Sequence, residues 1–265
     1  MWVKILRISG MVISISALFV LLVAAVSTSN QAMLRDVLVD IDFDGENYFI
    51  DAADVKESVY DLGYRKDSTR LNEIDPGHIE FLITNHPFIE DAEVYKELNG
   101  DLHVDVKVRK PIVRVFNDLG SSVYIDQYGM IMPLSKHYTA RAPIANGNIT
   151  LMAQLYIGKN VDELPKLTEH PDAQTLLEIY NAASVIGAHE FWSAQFNQFY
   201  VNQNSELELI PRVGDHRVII GTTKNLDKKL NKLWHFYQKG LNRTGWNEYE
   251  TINLKYANQV VCTKS

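Results

Sequence analysis

The chain has 265 residues, 46% of them hydrophobic and 22% charged, and a net charge of −7. That balance excludes an intrinsically disordered chain, and the acidic sign offers no footprint for nucleic acid. Cys262 is the single cysteine, which excludes an intrachain disulfide and a thiolate metal cluster.

Ile8 to Val26 runs nineteen residues without a charge. As a helix at about 1.5 Å per residue it covers roughly 28 Å, close to a hydrocarbon core of about 30 Å. This stretch is read as a transmembrane helix, with Ile8, Val12, Ile15, Leu18, Leu22 and Val26 along it. Lys4 and Arg7 precede it, so residues 1–7 are expected to be a cytoplasmic tail and the rest of the chain to lie outside. A cleaved signal peptide ending near Val23–Ser27 and a buried core helix are the other readings of the same stretch.

A first outer domain is expected over residues 36–111. Val37, Val39, Ile41 and Phe43 alternate with polar residues as a half-buried strand does. Tyr48 to Ile50 reads as a short extended piece. Asp51 reads as an N-cap with Asp54 three residues on, followed by the helical stripe Val55, Val59 and Leu62 and a stop at Gly63. Asp75-Pro76 is a second cap before the stripe Ile79, Leu82 and Ile83, which Pro87 ends. A hairpin follows. A three-residue loop, Asn99-Gly100-Asp101, brings its two apolar faces together. It pairs Leu98 with Leu102, Val94 with Val106, Glu93 with Lys107 and Asp91 with Arg109. The order is strand, helix, helix, strand, strand.

A second, β-rich domain with two or more helices is expected over residues 112–265. Ile112 to Asn117 reads as a strand, and Val123–Asp126 with Gly129–Pro133 as a hairpin. A helix is expected from about Pro171, with Leu176, Leu177, Tyr180 and Ala183 inward. Strands follow near Gln195–Val201, Glu206–Ile210 and Arg217–Gly221. Leu226, Leu230, Leu233, Trp234 and Tyr237 then form a long helical stripe closed by Gly240. Ile252, Leu254 and Tyr256 alternate with Asn253 and Lys255 as a final strand, with Val260 beyond it. The stretch from Ala140 to Glu169 fits no pattern.

Chemical motifs are sparse. Asp40, Asp42, Asp44, Gly45 and Asp51 stand at the positions of an EF-hand loop. Asp51 lacks the reach of the usual bidentate Glu, Asn47 replaces an apolar residue, and the flanks are strand and turn. A solvated strand edge is therefore expected, with no metal site and no cofactor. Glu93, Glu97 and Asp105 share a face with Lys107 and read as sheet surface. The aromatic group Phe191, Trp192, Phe196, Phe199 and Tyr200 reads as core, with a binding platform as the alternative. No nucleotide, thiol or hydrolase motif occurs. The sequons at Asn148 and Asn242 matter only in a glycosylating pathway.

The first outer domain, ending in Val106-Lys107-Val108-Arg109-Lys110-Pro111, resembles a POTRA domain, whose last strand ends in an Arg-x-Pro element; Arg109 and Pro111 match it. Placed directly after one membrane helix and before a β domain, it resembles the FtsQ/DivIB family of bacterial cell-division proteins. So do Tyr124-Ile125-Asp126 with Gly129 and Pro133, the helix after Val218–Gly221, and Ile252–Tyr256. The α+β chain is therefore expected to be a single-pass inner-membrane protein, cytoplasmic at its N-terminus and periplasmic in bulk. The resemblance implies a divisome scaffold at the septum without enzyme activity. Implied partners are small bitopic division proteins, FtsB/DivIC-like and FtsL-like, and membrane lipid around one helix, with no small-molecule substrate. The resemblance implies partner binding in the C-terminal part of the β domain. There Ile252, Asn253, Leu254, Lys255, Tyr256 and Val260 read as a sheet edge to which a partner adds a strand, or else as residues that only complete the sheet and its core. Two other readings remain: a POTRA-type component of outer-membrane protein assembly or secretion, and an anchored extracytoplasmic enzyme.

Overall fold

The computed structural model describes residues 10–11, 13–20, 32–43, 48–241 and 245–264. Residues 10–11 and 13–20 are helical, with Ile15 and Leu18 exposed. Ile8, Val12, Leu22 and Val26 of the expected membrane helix lie outside the described residues, as do Asp44 and Asn47 of the EF-hand-like loop. Among the described residues no helix is long and apolar enough to cross a membrane. The chain divides into two compact units, Met1–Gly45 with Ile50–Val108, and Glu46–Phe49 with Arg109–Ser265.

The first unit contains β1 (Asp36–Asp42), α1 (Ala52–Asp61), α2 (Pro76–Thr84), β2 (Ile89–Lys96) and β3 (Asp101–Val108). Its sheet runs β1-β3-β2, with β1 parallel and β2 antiparallel to β3. Local chemistry starts both helices. Asp51 Oδ1 accepts from Ala53 N and Asp54 N at 2.9 Å, and Asp54 Oδ2 takes Asp51 N at 3.1 Å, a reciprocal cap. Asp75 Oδ1 takes His78 N at 3.3 Å, with Pro76 in the first turn. Val55, Val59, Ile79 and Ile83 are buried, whereas Leu82 is 36% exposed. The inward stripe of α2 is thus narrower than expected, an i, i+4 pair.

The β2–β3 hairpin is shifted by two residues from the expected register. Val94 lies opposite Val104, Ala92 opposite Val106, Asp91 opposite Lys107 and Glu93 opposite Asp105. The loop has the expected length but starts one residue earlier, as Leu98-Asn99-Gly100. Glu97 N donates to Asp101 O at 2.9 Å to close it. Gly100, the third loop residue, takes φ +101, which glycine adopts without strain. Asn99 Oδ1 accepts from Asp101 N at 2.8 Å, and Arg35 Nε donates to the buried Asp101 carboxylate at 2.8 Å. Leu98, expected on the apolar face, is left 76% exposed.

The second unit is built on nine strands: β4 (Pro111–Phe116), β5 (Ser122–Asp126), β6 (Ile131–Met132), β7 (Ile144–Gly147), β8 (Phe196–Val201), β9 (Leu207–Pro211), β10 (Arg217–Gly221), β11 (Tyr249–Asn253) and β12 (Val261–Lys264). They form one sheet in the order β12-β11-β10-β9-β8-β7-β4-β5-β6. Among the described residues the α-helices α3 (Leu164–Leu167), α4 (Asp172–Gly187), α5 (Glu190–Gln195) and α6 (Leu226–Phe236) accompany it. The short strand β7, inside the stretch that fits no sequence pattern, joins the halves of the sheet by pairing parallel with β4 and with β8. Leu176, Ile179, Ala182 and Ile186 of α4 and Leu226, Leu230 and Leu233 of α6 are buried in one core with Phe196, Phe199 and Trp192. Each large apolar side chain so buried contributes about 1.5–3 kcal/mol before entropy is counted. Leu177 and Tyr180 are only half-buried, and Trp234 is 37% exposed. Beyond α6 the chain continues as a π-helical turn over Tyr237–Leu241, so Gly240 does not close it.

Candidate partner-binding edge

The alternating residues expected to form a free edge lie one strand inside it. β11 has β10 on one side and β12 on the other: Ile252 faces Val218 and Cys262, and Asn253 faces Ile219 and Val261. Leu254 N donates to Ile219 O at 2.9 Å. Ile252 and Leu254 are fully buried, so they complete the core. The edge belongs to β12, which among the described residues pairs only with β11. Sequence periodicity could locate a terminal strand but not the order in which two short ones close the sheet.

Along β12 Val261 is 41% exposed, and Thr263 and Lys264 are exposed too. Val260 and Cys262 lean on the core, and burial pushes the Cys262 thiol pKa up. The chain between β11 and β12 is clamped at its start. Lys232 Nζ donates to Leu254 O at 3.1 Å and to Tyr256 O. Lys255 Nζ reaches Glu206 at 2.7 and 3.0 Å, and Lys255 N donates to Asn253 Oδ1. Tyr256 stays 49% exposed. A row of main-chain donors and acceptors on a short, exposed terminal strand can take up a further strand without rearranging the core. The other end of the sheet is covered: Ile131 N donates to Lys159 O, and Gly158 N to Ile131 O.

The aromatic group is core. Trp192, Phe196 and Phe199 are at most 3% exposed, and Phe191 packs edge-on against Trp234. Beside it lies a polar pair that periodicity does not reveal. His216, 1% exposed, has Nε2 2.9 Å from Tyr237 Oη, with Trp246 tilted toward the imidazole and edge-on to the Tyr237 ring. Burial pushes the His216 pKa down, against the Trp246 backbone and the charge of Asp215; burial also pushes the Tyr237 pKa up. The unfolded chain therefore takes the His216 proton first as pH falls through about 6.5, and the stability held above that value is lost on further acidification. His216→Gln should flatten this dependence. Denaturation midpoints followed by tryptophan fluorescence from pH 7.5 to 5 should fall more steeply in the wild type. Equal slopes would remove His216 as the cause.

Arg109 and Pro111, expected to end the first domain, belong by their contacts to the second unit. Pro111 opens β4, and Arg109 donates to Asp126 at 2.8 Å with both groups nearly buried. A hydroxyl–imidazole–carboxylate group also occurs, absent from the sequence reading because Thr150 lies twenty residues or more before His170 and Asp172. Thr150 Oγ1 lies 3.4 Å from His170 Nε2. The hydroxyl donates instead to Asp172 Oδ2 at 2.8 Å, which also accepts Thr150 N and Leu151 N. The carboxylate holds a loop against the start of α4 and leaves the hydroxyl no base. Among the described residues no cluster of three or more His, Cys, Asp or Glu could hold a metal ion.

Comparison with known families matches residues 110–263, more than half of the chain, to the model described as FtsQ/DivIB, C-terminal related. Residues 33–107 match a POTRA-like domain. No curated protein matches the chain.

Proposed function

The chain belongs to the FtsQ/DivIB family of cell-division proteins, and from that premise we propose that it is a bitopic inner-membrane scaffold of the divisome. Families of this type are non-catalytic and act through protein–protein interactions in the division complex. In this reading residues 8–26 anchor the chain, residues 1–7 face the cytoplasm, and both units work in the periplasm at the septum. The partners are FtsB/DivIC-like and FtsL-like proteins, one of which adds a strand to β12. The observation that carries the reading is the open β12 edge, set on a core that Ile252 and Leu254 complete.

The test uses two neighbouring prolines. N–H groups alternate in direction along a strand, so of Cys262→Pro and Thr263→Pro one removes a donor from the free edge and the other from the ladder to β11. The variant that keeps the wild-type circular dichroism and melting point is the edge variant. It should bind the FtsB/DivIC-like partner roughly tenfold or more weakly, since each main-chain hydrogen bond is worth about 0.5–1.5 kcal/mol and proline also blocks close approach. Full co-purification by that folded variant would remove β12 as the docking strand.

A further inference from the structure

In the second unit a surface cleft of about 410 Å³ opens where β4, β7 and β8 begin and α4 ends. Its floor is apolar, made by Ile112, Ile144, Ile186 and Phe199. Arg141 and Arg212 line it as well, both exposed. Neither guanidinium has a hydrogen bond or ion pair among the described residues, in a chain whose net charge is −7. Two other exposed cations of this unit are paired: Arg217 meets Glu208 and Glu250, and Lys255 meets Glu206. The C-terminal turn of α4 attracts cations through its carbonyls, but it accounts for neither the concavity nor the apolar floor.

We propose that this cleft docks an acidic, apolar segment of a partner polypeptide, with one or two aliphatic or aromatic side chains on the floor and a carboxylate at Arg141 and Arg212. The volume suits such anchors. Ile144, 41% exposed, keeps the cleft open to water, so an occupant leaves its backbone outside, as a peptide does. Charge complementarity sets the sign of the partner. The site is separate from the β12 edge: four strands lie between β12 and β7, five spacings of about 4.8 Å or roughly 24 Å.

A randomised twelve-residue peptide library, selected on the full chain in detergent, tests the proposal. Selection is repeated on the Arg141→Glu/Arg212→Glu variant, whose melting point should be unchanged because both side chains are exposed. Enriched peptides should place Asp or Glu within a few residues of Leu, Phe or Trp, and bind the variant about tenfold or more weakly. They should bind the folded β12 proline variant as they bind the wild type, which separates failure here from failure of the edge. Ile144→Glu, placing a carboxylate on the floor, should weaken the same peptides. Peptides without acidic residues, equal binding to the charge-reversed variant, or no enrichment would overturn the proposal. So would arginine-dependent binding confined to sodium dodecanoate or phosphatidylglycerol vesicles.

Discussion

Replacing Asp126 with alanine is expected to destabilise the second unit by about 3–5 kcal/mol, the range for removing one partner of a buried ion pair. Asp126 is fully buried and serves three donors. Oδ2 takes Arg109 Nη1 at 2.8 Å, and Oδ1 takes Tyr128 N at 2.9 Å and Met130 N at 2.7 Å. The alanine variant leaves a guanidinium side chain that is only 12% exposed without its counter-charge, and two turn amides without their acceptor. Asp126→Asn keeps the shape and part of the hydrogen bonding, so it should fall between wild type and alanine. Arg109→Met combined with Asp126→Ala should recover part of the loss, because the stranded charge is gone. Guanidinium denaturation read by tryptophan fluorescence measures all three. A loss under about 1 kcal/mol in Asp126→Ala would mean that Arg109 relaxes into solvent and that the clasp contributes little.

The clasp explains why an Arg-x-Pro element at the end of one domain is legible in sequence while its role is not. Arg109 and Pro111 lie one and three residues beyond β3, but the partner of Arg109 is seventeen residues away at the end of β5. What the sequence made legible was local chemistry. Asp51 and Asp75 cap their helices through amides two or three residues on, so both starts could be read. The hairpin register could not. It depends on the positive φ of Gly100 and on the tie between Asp101 and Arg35, sixty-six residues apart. The apolar pattern alone accepts either register, since a shift of two residues keeps every side chain on its face. The same limit applied at the candidate site. Ile252 and Leu254 alternate as an edge strand would, yet burial on one face is equally the pattern of a strand that β12 covers. The cleft beside Arg141 and Arg212 left no sequence signal, because β4, β7, β8 and α4 meet there from distant parts of the chain.

Gly147→Ala is expected to cost about 3–5 kcal/mol, combining backbone strain with a clash that no side chain can relieve. Gly147 ends β7 opposite Val201, with φ +113. A Cβ there would lie 2.2 Å from Val201 O and 2.8 Å from Val201 N. Both are backbone atoms of β8, and Asn148 N donates to the same Val201 O at 2.8 Å. Relief therefore requires β7 and β8 to separate. That seam is where the two halves of the sheet meet, so the loss should spread along the sheet and, if β12 docks a partner as proposed, weaken that binding as well as stability. Gly120 supplies the control. It too has a positive φ, +79, but nothing lies within 4 Å of its added Cβ. Gly120→Ala should cost only the strain, about 1 kcal/mol. The difference between the two variants in denaturation midpoint isolates the close approach of the strands. If Gly147→Ala is no worse than Gly120→Ala, β7 and β8 part easily and β7 is not the join on which the far edge depends.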